Sequence, residues 1–228
     1  MTGLIILCRY NSNRLPGKIL KEINGKTILK YIYERLSKIN LNHEIIIATS
    51  NLESDDIIEK YCLKNKYKCF RGSLSNVSKR FLDCGIKNNF ENLVRINGDN
   101  LFLDFQLLEK MILDFEKNKY KFMSNVKKRT WPKGISVEIV NTDYYKKSVD
   151  SFSEDDKEHV MTYFYRNITK DTKFIYNNVK IESNLDFAID SYEDFILANK
   201  IIHKMKNNHS EYNYLDIINI ANQIKNEK

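Results

Sequence analysis

With 228 residues, 42% of them hydrophobic and 29% charged, the chain is long enough for one substantial globular domain. No apolar run approaches the ~18 residues that span a bilayer, and the N-terminus lacks a basic leader and a small-residue cleavage site. A cytoplasmic location with no membrane partner is therefore expected. The net charge of +7 and pI near 9.0 come from lysines spread along the chain, without the dense basic and aromatic block that nucleic-acid binding needs, so no nucleic-acid partner is expected.

In chain order, "LIILC" (4–8) is a continuous apolar run, as in a strand buried on both faces. Residues 27–39 repeat Ile28, Leu29, Ile32, Leu36 and Ile39 at helical spacing behind Thr27 as cap. "HEIIIATS" (43–50) reads as a strand, 54–65 as a helix capped by Ser54, and 66–70 as a strand. Residues 75–88 read as a helix, "NLVRI" (92–96) as a strand, "FQLLEKMILDFEKN" as a helix and "YKFMSN" as a strand. The second half reads as strand 135–140, helix 142–152, helix 154–167, strand-like "KFIYNNV" and "DFAID", and closing helices 191–206 and 213–226.

This alternation predicts one α/β domain over 1–228 with a mostly parallel sheet, and a subdomain or insertion near 130–185. Ligands of such sheets sit beyond the carboxyl ends of the strands, here the loops 9–18, 49–53, 71–74 and 97–104. The four cysteines, Cys8, Cys62, Cys69 and Cys84, form no C-x-x-C pair and read as reduced thiols.

The first of these loops, "RYNSNRLPGK", carries Arg9, Arg14 and Lys18 directly after a buried strand. A fold gains nothing from that charge. Guanidinium forks and an ammonium beside the Ser12 hydroxyl suit a polyphosphate, although neither a G-x-G-x-x-G nor a Walker pattern is present. In "RINGDN", Asp99 follows a buried strand and a glycine, where a carboxylate would hold Mg²⁺, and Asp104 is a second candidate. Asp190 ends "FAID" and either joins Asp99 at a metal or caps the helix that follows, a task for which Ser191 competes. His159, Tyr163 and Arg166 fall on one face of the expected helix 154–167, suiting an anionic, hydroxylated acceptor.

Together these motifs resemble the bacterial sugar-acid cytidylyltransferases, which include CMP-KDO synthetase and the acylneuraminate cytidylyltransferases. "RYNSNRLPGKIL" is similar to their R-x-x-S-x-R-L-P-G-K signature. "IIIATS", "FRGSLSNVSKRF", "VRINGDN", "EHVMTYFYRN" and "AIDSYEDF" follow in the order of the spore-coat polysaccharide branch, from about residue 4 to about 202. The resemblance implies a nucleotide-diphosphosugar-transferase-like (Rossmann-like) three-layer α/β fold with a mixed, mostly parallel sheet. It implies transfer of CMP from CTP to an acidic sugar, with Mg²⁺ as cofactor, pyrophosphate as product and surface polysaccharide as destination. A homodimer is expected, with 130–185 serving acceptor binding or dimerisation.

By motif position, the resemblance puts Arg9, Ser12, Arg14 and Lys18 on the triphosphate, and Asp99 and Asp190 on the metal. It puts Ala48, Thr49, Ser50, Arg71, Gly72 and Ser73 near the cytidine, and Arg80 near nucleotide or acceptor. Glu138, His159 and Tyr163 would face the acceptor. CMP-KDO synthetases carry Gln-Gly-Asp-Glu-Pro where this chain has Asn97-Gly98-Asp99-Asn100-Leu101, so the acceptor stays open, as does another nucleotide or a phosphorylated or non-sugar acceptor. A glycosyltransferase would show an Asp-x-Asp triplet after a strand, and none occurs.

Overall fold

The structure is a computed structural model and describes residues 1–12, 14–179 and 185–227. In chain order its strands are β1 (Thr2–Leu7), β2 (Glu22–Ile23), β3 (Lys26–Thr27), β4 (His43–Ser50), β5 (Lys68–Gly72), β6 (Asn92–Asn97), β7 (Phe122–Ser124), β8 (Glu138–Asn141) and β9 (Thr172–Phe174). The helices are α1 (Ile28–Leu36), α2 (Asp56–Asn65), α3 (Val77–Lys87), α4 (Phe105–Asn118), α5 (Thr142–Ser148), α6 (Glu154–Glu158), α7 (Thr162–Arg166), α8 (Tyr192–Lys204) and α9 (Tyr214–Asn226).

Among the described residues, seven strands form one sheet in the order β5-β4-β1-β6-β8-β7-β9. β1 lies inside it, parallel to β4 and β6, with Leu4 opposite Ile45 on one side and Val94 on the other. β8 is antiparallel to β6 and β7, so the sheet is mixed. Alternation along β1 sends Leu4 and Ile6 into one core and Ile5 into another. The first core takes the apolar stripes of α1, α4, α8 and α9; the second takes those of α3, α5 and α7. The result is three layers, helix–sheet–helix. No described helix is long and apolar enough to cross a membrane.

Most expected elements form, and the exceptions have local causes. The expected helix 154–167 is two short helices, α6 and α7. Val160 and Met161 turn into the core between them, 2% and 1% exposed, and Tyr145 Oη donates to the Val160 carbonyl. His159 leaves helical geometry there (φ −103°, ψ 77°), so it shares no face with Tyr163 and Arg166. The strand expected from 135 starts only at Glu138, because the Asn125 amide satisfies Ile135 O and Val137 N–H in place of a ladder. "DFAID" is extended but no strand: Phe187 N–H goes to Lys133 O and Ile189 N–H to Asp99 O, two separate loops. The β2–β3 hairpin turns on Asn24 and Gly25, both at positive φ, an Asn-Gly signal that the periodicity reading passes over.

Candidate active site

The parallel strands β1, β4 and β6 end at one edge of the sheet, and the loop after β1 folds back over it. Tyr10 O accepts from both Ser12 N–H and Gly17 N–H, and Gly17 closes the turn at φ 68°. The loop is fastened to β4 by Asp55, which is 1% exposed. Its carboxylate accepts from Tyr10 N–H at 2.7 Å, from the Thr49 hydroxyl at 2.8 Å, and from the Ser50 backbone and hydroxyl at 2.9 and 2.5 Å. Burial alone would push the Asp55 carboxyl up, but these four donors outweigh it and hold it below the usual carboxylate range.

This anchoring brings the loop cations onto the two aspartates. Lys18 Nζ donates to Ile189 O at 2.8 Å and Asp190 Oδ1 at 3.1 Å, and lies 3.6 Å from Asp99 Oδ2. Arg14 Nη2 is 3.0 Å from Asp190 Oδ2. Burial pushes the Asp99 carboxyl up and neighbouring Asp190 adds to that, while Lys18 and Arg95 oppose it. Asp99 Oδ1 is buried without a hydrogen-bond partner. Ser191, with Asp194 in a reciprocal capping box, caps α8 and leaves the Asp190 side chain to the cations.

A cleft of about 370 Å³ opens here. It is lined by Arg9, Ser12, Arg14, Lys18, Arg80, Asp99, His159 and Asp190 of the predicted residues. Arg95, Asn97 and Glu158 line it as well. Arg95, a cation inside the otherwise apolar "LVRI", was the available signal for that unpredicted group. Arg80 is 3% exposed and donates from Nη1 to Ser73 O at 2.8 Å, with its Nε unpartnered; burial pulls its pKa down.

The other predicted residues lie outside the cleft lining. Ala48 is buried and accepts Cys8 N–H through its carbonyl. The Thr49 and Ser50 hydroxyls are turned to Asp55. Arg71 is engaged by Asp56, Glu59 and the carbonyls of Ser50 and Leu52. Gly72 packs under Arg80, whose Cγ would lie 2.8 Å from an added Cβ. Tyr163 packs tilted on Phe152 and edge-on against Phe164, and Arg166 pairs with Asp156. Glu138 is 3% exposed and both its oxygens are engaged, by Arg95 and Tyr165, so it does not face the cleft directly. Asp104 caps α4 through Leu107 N–H and accepts Tyr214 N–H, away from Asp99.

A family model described as cytidylyltransferase matches residues 4–221. The chain belongs to the cytidylyltransferase family. It is thus a nucleotidyltransferase. It is 32% identical over 167 residues to the spore coat polysaccharide biosynthesis protein SpsF of Bacillus subtilis, covering 70% of this chain and 68% of that protein. It is 28% identical over 131 residues to the 3-deoxy-manno-octulosonate cytidylyltransferase of Fusobacterium nucleatum, but spans only 49% of that protein's length. A solved cytidylyltransferase from Leptospira borgpetersenii superposes with a TM-score of 0.91 at 28% identity, over 99% of this chain and 95% of that one. A CTP complex of CMP:2-keto-3-deoxy-manno-octonic acid synthetase, at TM-score 0.68 and 13% identity, shares the fold over 89% of this chain and 98% of that one.

Proposed function

We propose that this chain transfers CMP from CTP to an acidic sugar, releasing pyrophosphate, in surface polysaccharide synthesis. The observation that carries this reading is the pairing of Arg14 and Lys18 with Asp190 and Asp99 across the cleft. Each cation is held by a carboxylate only until a stronger anion arrives. A triphosphate would draw Arg9, Arg14 and Lys18 onto its oxygens, freeing both aspartates for a divalent cation. The acceptor half of the reading also draws on the family and on the names of its relatives.

The residues present fit Mg²⁺. Asp99 Oδ1 is a buried oxygen with no donor, and Asp190 adds a second hard carboxylate. No group of three or more His, Cys, Asp or Glu that would hold a metal occurs among the described residues. The remaining positions would fall to water and phosphate oxygens, as Mg²⁺ prefers. Bound there, it would supply Lewis-acid neutralisation of the phosphate charge.

In the reaction, the acceptor hydroxyl oxygen attacks the α-phosphorus in line. The bond from that phosphorus to the bridging oxygen breaks, pyrophosphate leaves and the hydroxyl proton passes to water. Arg14 and Lys18 offset charge growing on the leaving group, and Arg80 and Ser12 orient the nucleotide. The chain's work is positioning and charge compensation.

The test is pyrophosphate release with each of the four nucleoside triphosphates against a panel of sugar acids and their neutral counterparts, with Mg²⁺ present. Turnover with CTP and an acid is expected. Equal turnover with all four nucleotides, or with neutral sugars alone, would overturn the reading.

A further inference from the structure

The sheet contains a polar row that the triphosphate and metal readings leave unused. Arg95 on β6 stands opposite Glu138 on β8, and Glu138 stands opposite Ser124 on β7. Three neighbouring strands thus carry polar side chains in one register, on the face that also holds Leu93 and Phe122. Glu138 Oε2 accepts from Arg95 Nη1 at 2.5 Å. Its Oε1 accepts from Tyr165 Oη at 2.7 Å, and that hydroxyl lies 2.5 Å from Ser124 Oγ. Burial disfavours a charged guanidinium, but the Glu138 charge outweighs it and raises the Arg95 pKa. An ion pair buried this way does not by itself make a fold more stable than apolar residues of the same volume would.

One end of the row is open. Arg95 lines the cleft, and its side chain keeps 24% exposure while Glu138 keeps 4%. Only Nη1 is used: Nε is buried without a partner, and Nη2 has none among the described residues. Nε is closed off from the cleft, so on that edge of the guanidinium Nη2 is left to donate a charge-assisted hydrogen bond to an incoming carboxylate. Glu138, fixed in turn by Tyr165 and Ser124, holds the plane of that edge. The position separates it from the triphosphate cations. Arg14 and Lys18 come from the loop after β1, whereas Arg95 lies on the next strand toward β8.

The geometry points to Arg95 as the residue that receives the acceptor's carboxylate, with Glu138, Tyr165 and Ser124 as its positioning residues. This rests on the reading that the acceptor is an acid. Glu138 then acts on the acceptor through Arg95, not by contact.

The experiment compares CTP-dependent pyrophosphate release with the best sugar acid of the panel and with its carboxamide. Replacing Arg95 alone would strand the buried Glu138 charge, so the main variant is Arg95→Gln with Glu138→Gln. Its KM for the acid should rise about 10- to 100-fold and its KM for CTP stay within about twofold, the loss expected for a charge-assisted contact to the acceptor alone. Its preference for acid over amide should collapse. Tyr165→Phe, which removes one hydroxyl and keeps the ring, should shift the same ratio the same way by a smaller factor. A folded double variant that keeps the acid preference, or loses CTP affinity instead, overturns the assignment and leaves the reaction standing. A wild-type protein that turns over no acid overturns both.

Discussion

On the proposed function, Asp99 sits where folding and function pull in opposite directions. Its carboxylate is disfavoured by burial and by Asp190, and Oδ1 has no donor. A carboxyl whose folded pKa is raised weakens the fold at neutral pH relative to a neutral isostere. Asp99→Asn is therefore expected to keep or raise Tm, by up to about 3 °C for a chain of this size. Lys18 would retain Asp190 and the Ile189 carbonyl. Turnover is expected to fall by about 10²–10³, the typical cost of one preorganised electrostatic contact. Thermal unfolding beside a pyrophosphate assay checks both halves; a large drop in Tm would show the carboxylate to be structural. Asp99 and Lys18 stood out in the sequence for one reason: a charge in the loop that follows a buried strand has no role in the core. Arg95 was as visible in "VRIN", but its partner Glu138 is 43 residues away in sequence and meets it only through strand register.

At the level of the elements, the cation-bearing loop after β1 depends on a residue outside it. Asp55 ends the 3-10 turn after β4, and as an acid at the start of a helix it reads as dipole compensation. Its side chain instead turns back to clamp Tyr10 and the end of β4. Sequence spacing could not show this, because the clamp joins loops 45 residues apart. The same clamp explains why Thr49 and Ser50, although near the strand ends, turn away from the cleft. With its folded pKa depressed, Asp55 contributes stability that is fully present above the ordinary carboxylate value of about 4. That contribution is lost as pH falls through the lower folded value. Asp55→Asn keeps the shape and one acceptor oxygen but removes the charge, at a cost of about 1–3 kcal/mol at neutral pH. CTP affinity by calorimetry should fall along with stability, and the variant's stability should depend less on pH below about 4. Unchanged CTP affinity would show that the loop holds its shape without the clamp.

The molecule as a whole is closed by a clasp that joins its first helix to its last segment. Most strands, most helices and the mostly parallel sheet followed from apolar periodicity, which records burial, whereas the strand order did not. The clasp is polar and long-range, so periodicity carried no trace of it. Arg35 on α1 is 0% exposed and donates to Leu103 O, His209 O and Tyr212 O at 2.5, 2.6 and 2.6 Å. Burial lowers its pKa to about 10, so it stays charged at neutral pH. Beside it His209 packs edge-on against Tyr31 and places Nε2 2.7 Å from Glu34 Oε2. Its Nδ1 is buried without a partner, as suits a neutral imidazole whose proton is on Nε2. Burial, aided by the Arg35 charge, pulls the His209 pKa down to about 4 against the pull of Glu34. The unfolded chain binds this proton near pH ~6.5, so between about 6.5 and about 4 it holds more protons than the folded one. Stability must then rise with pH across that window, and acidification should loosen the clasp by on the order of 3 kcal/mol. His209→Gln keeps an N–H donor for Glu34 and removes the titration. Urea midpoints measured from pH 7 to pH 4 should fall more steeply for the wild-type chain than for the variant. Parallel curves would place the acid sensitivity elsewhere. Because α8 follows Asp190 directly and packs on α9, loosening this end should also weaken the hold on Asp190. CTP affinity is then expected to decline over the same pH window in the wild-type chain and to decline less in the variant.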